Sequence, residues 1–189
     1  MGTLVVTEFM SLDGVVDSPG GGDHPRAGWT FQEVAFEAEA YELKAREQEQ
    51  AAALLVGRQS WVEFHPVWPT MPEFERYNAI PKYVVSRTLE ETDVAASAWR
   101  PTTLLRTLDD VAALKDAVDG EIQVHGSPTL AQGLAAAGLV DGYHLLVFPL
   151  VLGGGKRLFA SEGGFERLDL VEQASYSNGI QKLCYDVLR

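Results

Sequence analysis

A single cysteine, Cys184, among 189 residues leaves no partner for an internal disulfide, so a reducing compartment is expected. Cys184 lies in an alternating strand pattern, which predicts a packed thiol and not a nucleophile. No run of about 18 apolar residues is present, so no spanning helix is expected. The N-terminal stretch has no basic region ahead of an apolar one, so no secretory signal is read and a cytoplasmic location is the default. Positive charge is also scarce: 15 Lys and Arg stand against 27 Asp and Glu, a formal net charge of -12. Such a surface repels nucleic acid and anionic membranes over most of its area, and neither is expected as a partner. The four histidines, His24, His65, His125 and His144, are scattered without metal-ligand spacing, so no metal is expected. There is no G-x-G-x-x-G and no G-x-S-x-G. Gly155-Lys156 is not a P-loop, because Leu150 and Arg157 replace its first Gly and its Ser/Thr.

What is present is an ordinary globular composition, 46% hydrophobic and 22% charged, in the length of one domain, residues 1–189. Thr3 to Met10 is rich in β-branched residues and reads as an interior strand running into a Ser11-Leu12-Asp13-Gly14 turn. Asp17 to Gly28, with three consecutive glycines, reads as a mobile loop, either a lid or a surface excursion. Phe31, Val34, Ala38, Tyr41 and Ala45 recur at helical spacing and predict one long helix to about Gln50. Most of the acidic residues of that segment, Glu33, Glu37, Glu42 and Glu47, are assigned to a solvated face, with any one of them free to face a cleft, and Glu42 and Arg46 are spaced as an i,i+4 pair. Further strands are expected at Ala53–Val56, Lys82–Val85 and Thr103–Arg106, and His65–Pro81 reads as irregular. Thr107 and Asp110 form a capping-box pattern opening a helix.

Glu121 to Asp141 organises the chain. It reads as a strand (Ile122, Val124), a turn at Gly126, and a helix with Ser127 as N-cap, Pro128 at its first position and Gly138 to end it. Tyr143–Leu152 reads as a buried strand that Pro149 must bulge or bend. Leu168–Ser177 and Ile180–Leu188 form a hairpin at Asn178-Gly179. Strand-then-helix units followed by an antiparallel hairpin imply an α/β fold: a mixed, mostly parallel sheet with helices on both faces and ligands at the carboxyl ends of strands. Three of those ends, Gly57-Arg58-Gln59-Ser60, Ser86-Arg87-Thr88 and His125-Gly126-Ser127, offer guanidiniums, hydroxyls and helix N-termini. Together they suit a ligand with separated phosphates, though each alone is equally a capped turn.

The ordered set Ser11-Leu12-Asp13-Gly14, Leu55-Val56-Gly57-Arg58, Lys82-Tyr83-Val84-Val85-Ser86, Val124-His125-Gly126-Ser127 and Pro149-Leu150-Val151-Leu152-Gly153 resembles the dihydrofolate reductase-like family. More narrowly, it resembles the branch related to the C-terminal reductase domain of the riboflavin-biosynthesis protein RibD. The resemblance runs from the first strand to the last and is most specific from Val124 through Phe159. It implies a dihydrofolate reductase-like three-layer fold and an NADPH-dependent reductase acting on a small heterocyclic or carbonyl substrate, similar to 5-amino-6-(5-phosphoribosylamino)uracil reductase. By the family pattern Gly57, Arg58 and Ser60 lie at a cofactor-phosphate helix. Ser86 and Arg87 lie near the adenosine ribose and its 2′-phosphate, and Gly126, Ser127 and Thr129 cradle the pyrophosphate. Asp13 borders the nicotinamide and substrate region. Asp13 or Glu33, or bound water, is expected to relay the proton. His125 stands where the family has a second glycine, and the acid that dihydrofolate reductases carry on their first long helix has no counterpart in its motif. Two alternatives stay open: a non-catalytic NADP-binding or sensor protein of the same fold, and a structural homo-oligomer. A homodimer is expected across the C-terminal edge strand.

Overall fold

The computed structural model describes residues 1–162 and 164–189. Eight strands form one sheet: β1 (Thr3–Ser11), β2 (Ala51–Gly57), β3 (Lys82–Val85), β4 (Thr102–Leu105), β5 (Glu121–His125), β6 (Gly142–Phe148), β7 (Arg167–Ser175) and β8 (Gln181–Leu188). Their order is β4-β3-β2-β5-β1-β6-β8-β7. The first six run parallel, while β8 is antiparallel to β6 and to β7. This is the mixed, mostly parallel sheet that the sequence implies, with the expected hairpin on one flank. The hairpin turn closes through Tyr176 N–H donating to the Ile180 carbonyl at 3.0 Å.

Alternation in the interior strands decides the layers. Leu4, Val6, Leu55, Ile122, Val124 and Leu145 pack on one face beneath α6 (Leu108–Ala117) and α7 (Pro128–Ala136). The other face divides. Leu54, Val56 and Val84 pack with Trp61, Tyr77 and Trp99, and Leu146 and Phe148 pack with Trp29, Ala40 and Leu43. Thr107 and Asp110 exchange the capping bonds that their spacing predicts, at 3.1 and 2.9 Å. Cys184 is buried, and burial pushes its thiol up to about 11, so it packs and does not react. Among the described residues no helix is long and apolar enough to cross a membrane.

Four segments differ from the sequence reading. The single helix to Gln50 is two, α1 (Trp29–Gln32) and α2 (Ala38–Gln50). The Asn178 amide donates to the Ala35 carbonyl at 2.8 Å, so the hairpin turn takes an acceptor that a continuous helix would need. In consequence α2 buries Ala40, Leu43 and Glu47, not Tyr41 and Ala45. Arg46 leaves Glu42 and pairs with Glu172 across 2.5 Å. The stretch read as irregular holds α4 (Glu75–Ala79), and α5 (Glu91–Ala96) lies where no helix was read. Finally, β6 stops at Phe148, before Pro149, whose missing N–H ends the ladder outright.

Candidate functional site

β2 and β5 are neighbours in the sheet, so the two strand–turn–helix junctions at their carboxyl ends touch. β2 ends at Gly57 and leads into α3 (Arg58–Phe64), and β5 ends at His125 and leads through Gly126 and Ser127 into α7. Gly126 and Ser127 both sit in the left-handed region, with φ of 64° and 61°. That pair of turns rotates Ser127 away from its own helix. Ser127 is therefore not the side-chain cap that its position suggests. Its Oγ accepts the Gly57 N–H at 2.7 Å and shares a hydrogen with Ser60 Oγ at 2.6 Å. The fit leaves no room for side chains at either glycine. A Cβ on Gly57 would meet Ser127 Oγ at 2.6 Å, and one on Gly126 would meet Ser60 Oγ at 2.7 Å. With no side chain capping it, α7 presents free first-turn amides and its positive end beside the turn.

Gly57 pairs with Val85 in the β2–β3 register, so Arg58 and Ser86-Arg87 emerge side by side at the same edge. Both arginines are exposed, and neither guanidinium has an ion-pair partner among the described residues. Ser86 is turned inward. It is buried, and its Oγ accepts the N–H groups of Thr88 at 3.2 Å and Leu89 at 2.9 Å. It shapes the loop that carries Arg87 and is not itself open to a ligand. Thr129 lies apart from the Gly57–Ser60–Ser127 cluster, exposed on the first turn of α7 and lining a groove with Gln132, Tyr143 and Phe159.

The two residues read as proton relays are not placed for that work. Asp13 Oδ1 accepts from Ser11 Oγ at 2.7 Å and the Leu152 amide at 3.0 Å. Its Oδ2 accepts from the Gly153 amide at 2.9 Å and faces Arg157 at 3.4 Å. Desolvation raises its pKa, but the bonds from Ser11, Leu152 and Gly153 outweigh it and hold the carboxylate at about 2. Asp13 is thus a permanently ionised tie between the β1 turn and the Gly153 loop. Glu33 follows the end of α1 at the surface, paired with Arg26 at 3.5 Å. It does not face the sheet.

The Asp17–Gly28 loop is tied down as well. His24 Nε2 lies 3.1 Å from the Gly154 carbonyl, and the Lys156 amide donates to Asp17 at 3.2 Å. Between this loop, Gly154–Lys156 and the Gln59–Glu63 side of α3 lies a cleft of about 530 Å³, lined by both charges.

A buried polar network escaped the sequence reading. Glu47 is fully buried and accepts from both Thr7 Oγ1, at 2.8 and 2.9 Å, and His144 Nδ1, at 3.0 Å. Lys44 pairs with it at 3.1 Å and also donates to Thr7. Burial would raise the Glu47 carboxyl, but Lys44, His144, His125 and Thr7 together bring it down to about 2. His125 Nε2 meets the Tyr77 hydroxyl at 2.9 Å, and that hydroxyl donates to Gln123 at 2.6 Å. Desolvation and the Lys44 charge push His125 down to about 3, so it is a neutral structural group. The legible signal was periodicity. Thr7, Gln123, His125 and His144 interrupt apolar strands on one face, and such residues need a polar partner opposite.

Glu8, one residue beyond Thr7, points to the other face, 5% exposed, and its Oε1 has no partner among the described residues. Desolvation raises its pKa to about 8, opposed by Lys44 and the Gly126 backbone. The folded state therefore holds a proton that the unfolded chain releases near pH 4.5. Stability from this group is complete below about 4.5 and is lost as pH rises to about 8. Glu8→Gln should raise stability by about 2–4 kcal/mol at pH 8.5 and change little at pH 4. Urea unfolding at the two pH values measures this, and equal effects at both would contradict the assignment.

Comparison with known proteins follows the same outline. A model of the RibD C-terminal domain matches residues 2–182. The YyaP protein of Bacillus subtilis (strain 168), itself uncharacterized, is 33% identical over 104 residues, 55% of this chain and 53% of its own. The chain thus aligns with about half the length of that curated relative. A Shewanella sp. PV-4 protein, described provisionally as one of riboflavin biosynthesis, superposes with a TM-score of 0.77 at 20% identity over 99% of both chains. Dihydrofolate reductase from Enterococcus faecalis, solved with NADP(H), gives a TM-score of 0.63 at 11% identity, covering 99% of this chain and 97% of its own. At these identities the two structures speak for the fold alone.

Proposed function

Because the chain belongs to the RibD C-terminal domain family, we propose that it is an NADPH-dependent reductase acting on a small heterocyclic or carbonyl substrate. In this reading its reaction resembles that of 5-amino-6-(5-phosphoribosylamino)uracil reductase of riboflavin synthesis. The observation that carries the reading is the locked pair of glycine turns, in which Ser127 bridges Gly57 and Ser60 while two arginines without an ion-pair partner among the described residues stand on the adjoining strand ends. Both glycines are needed for the two turns to pack together, since a Cβ on either would meet Ser127 or Ser60. These residues fit the group. Gly126, Ser127 and the first turn of α7 would hold the pyrophosphate, and Arg58 and Arg87 the 2′-phosphate. Bound NADPH supplies a hydride. The protein's share is to orient the two ligands, keep water out with the Asp17–Gly28 loop, and hold the Gly153 loop beneath it through Asp13. The exposed Leu170 and Val171 of the edge strand β7 support a homodimer as part of the same reading.

A fluorescence titration tests the cofactor assignment. NADPH should bind at least tenfold more tightly than NADH, and Arg58→Ala or Arg87→Ala should each remove about tenfold from NADPH and little from NADH, about 1.4 kcal/mol. Equal affinities for the two dinucleotides in the unaltered protein would overturn it. One observation favours a second reading, a dinucleotide-binding protein without turnover: neither Asp13 nor Glu33 is placed to deliver a proton. Oxidation of NADPH by any carbonyl or heterocyclic acceptor disposes of that alternative.

A further inference from the structure

Glu8 stands beside the glycine turn that precedes α7. Thr7 is in register with His125, so the next residue of β1 is level with Gly126, the first of two left-handed residues ahead of the helix. Leu4 and Val6 decide which side it takes. Both pack beneath α6 and α7, and the period of two sends the Glu8 side chain the same way. The Gly126 backbone lies close enough to its carboxyl to favour ionisation. Even so, Oε1 has no partner among the described residues, and the residue is only 5% exposed. A carboxyl at a helix N-terminus is ordinarily the anion that the free amides meet. Glu8 is not, because burial outweighs both Lys44 and Gly126 and keeps it protonated to about pH 8. A protonated carboxyl is a hydrogen-bond donor. Beside the α7 amides it adds one O–H to the shell of an incoming anion, whereas an ionised carboxyl would set a like charge against it. Few other charges compete there. On α2, Lys44 opposes the rise and Glu47 adds to it, and the two are paired with each other. On β5, His125 is held neutral. On β6, Tyr143 bonds to Glu166 and His144 to Glu47. α7 carries no titratable side chain. On the loop after β6, Arg157 pairs with Asp13 and Lys156 is exposed.

We propose that Glu8 makes anion binding at the Gly126–α7 turn proton-linked: its neutral carboxyl donates a hydrogen bond to an oxygen of the bound diphosphate, and its ionised form repels that group. The identity of the anion rests on the dinucleotide reading given above. NADPH titration of the full chain at pH 7 and pH 9 is the test, because the cofactor's phosphates are almost fully ionised at both values. Affinity should fall about tenfold between them, as a group titrating near 8 requires. At pH 9, calorimetry in two buffers of different ionisation enthalpy should show close to one proton taken up per NADPH bound. Glu8→Gln keeps a donor and cannot ionise. It should match the unaltered chain at pH 7, lose less than twofold at pH 9 and take up no proton. Glu8→Leu, which has no donor, should bind about tenfold more weakly at pH 7. A Glu8 that only burdens the fold would shift the unfolding midpoints of the variants and leave affinity and proton uptake alike in all three proteins. That result would overturn the proposal, as would unchanged affinity in Glu8→Leu or an equal pH dependence in Glu8→Gln. The two claims separate cleanly. NADPH binding that is the same at pH 7 and pH 9 removes the proton linkage and leaves the dinucleotide site standing, and no NADPH binding at pH 7 removes both.

Discussion

Glu47→Ala should cost about 3–5 kcal/mol of folding stability. Glu47 is fully buried and is the acceptor on which Thr7, His144 and Lys44 converge. Removing it leaves an ammonium and a hydroxyl beneath the sheet with no anion to meet, and total stabilities are only about 5–15 kcal/mol. The carboxyl is held at about 2, so its contribution is present above the unfolded value near 4.5 and fades as pH falls toward 2. Urea unfolding at pH 7, followed by tryptophan fluorescence, measures the loss. A change below about 1 kcal/mol would mean that the network is not the structural centre of this face.

The second large effect belongs to the cradle. In Gly126→Ala the backbone must hold φ at 64° with a side chain present, and the new Cβ lands 2.7 Å from Ser60 Oγ. Left-handed backbone alone costs about 1–2 kcal/mol. The contact adds to this because Ser60 Oγ is fixed at 2.6 Å from Ser127. Relief requires the turn to swing away from Gly57, which dismantles the proposed phosphate cradle. NADPH affinity should fall by about tenfold to a hundredfold, while the far-ultraviolet circular dichroism stays unchanged. Affinity within twofold of the unaltered protein would place the dinucleotide elsewhere.

The parts of this architecture that follow from local chemistry were legible in the chain. β-branched runs gave the strands, Thr107 and Asp110 gave a helix start, and Asn178-Gly179 gave the hairpin. The gathering of Gly57, Ser60, Gly126 and Ser127 followed from the rule that parallel sheets present ligands at strand ends. What stayed hidden depends on distant contacts. Nothing local to Glu33–Glu37 breaks a helix; the break comes with an Asn178 bond across the fold. That break sets the register of α2, which alone decides that Glu47, in a segment rich in glutamates, points inward. Ser127 has the composition of a cap, and only the left-handed turn before it reveals that its hydroxyl serves a neighbouring strand. Asp13 was read as a proton carrier because it borders the site, whereas four donors make it a clamp.

The central claim is that the carboxyl ends of β2, β3 and β5 form one dinucleotide site. Backbone amide shift mapping by nuclear magnetic resonance during NADPH titration tests it most directly. The account predicts saturable shifts at Gly57, Arg58, Ser60, Arg87, Gly126 and Ser127 with a single affinity. Shifts absent from both glycine turns, or confined to the groove between α7 and the C-terminal strand, would contradict it.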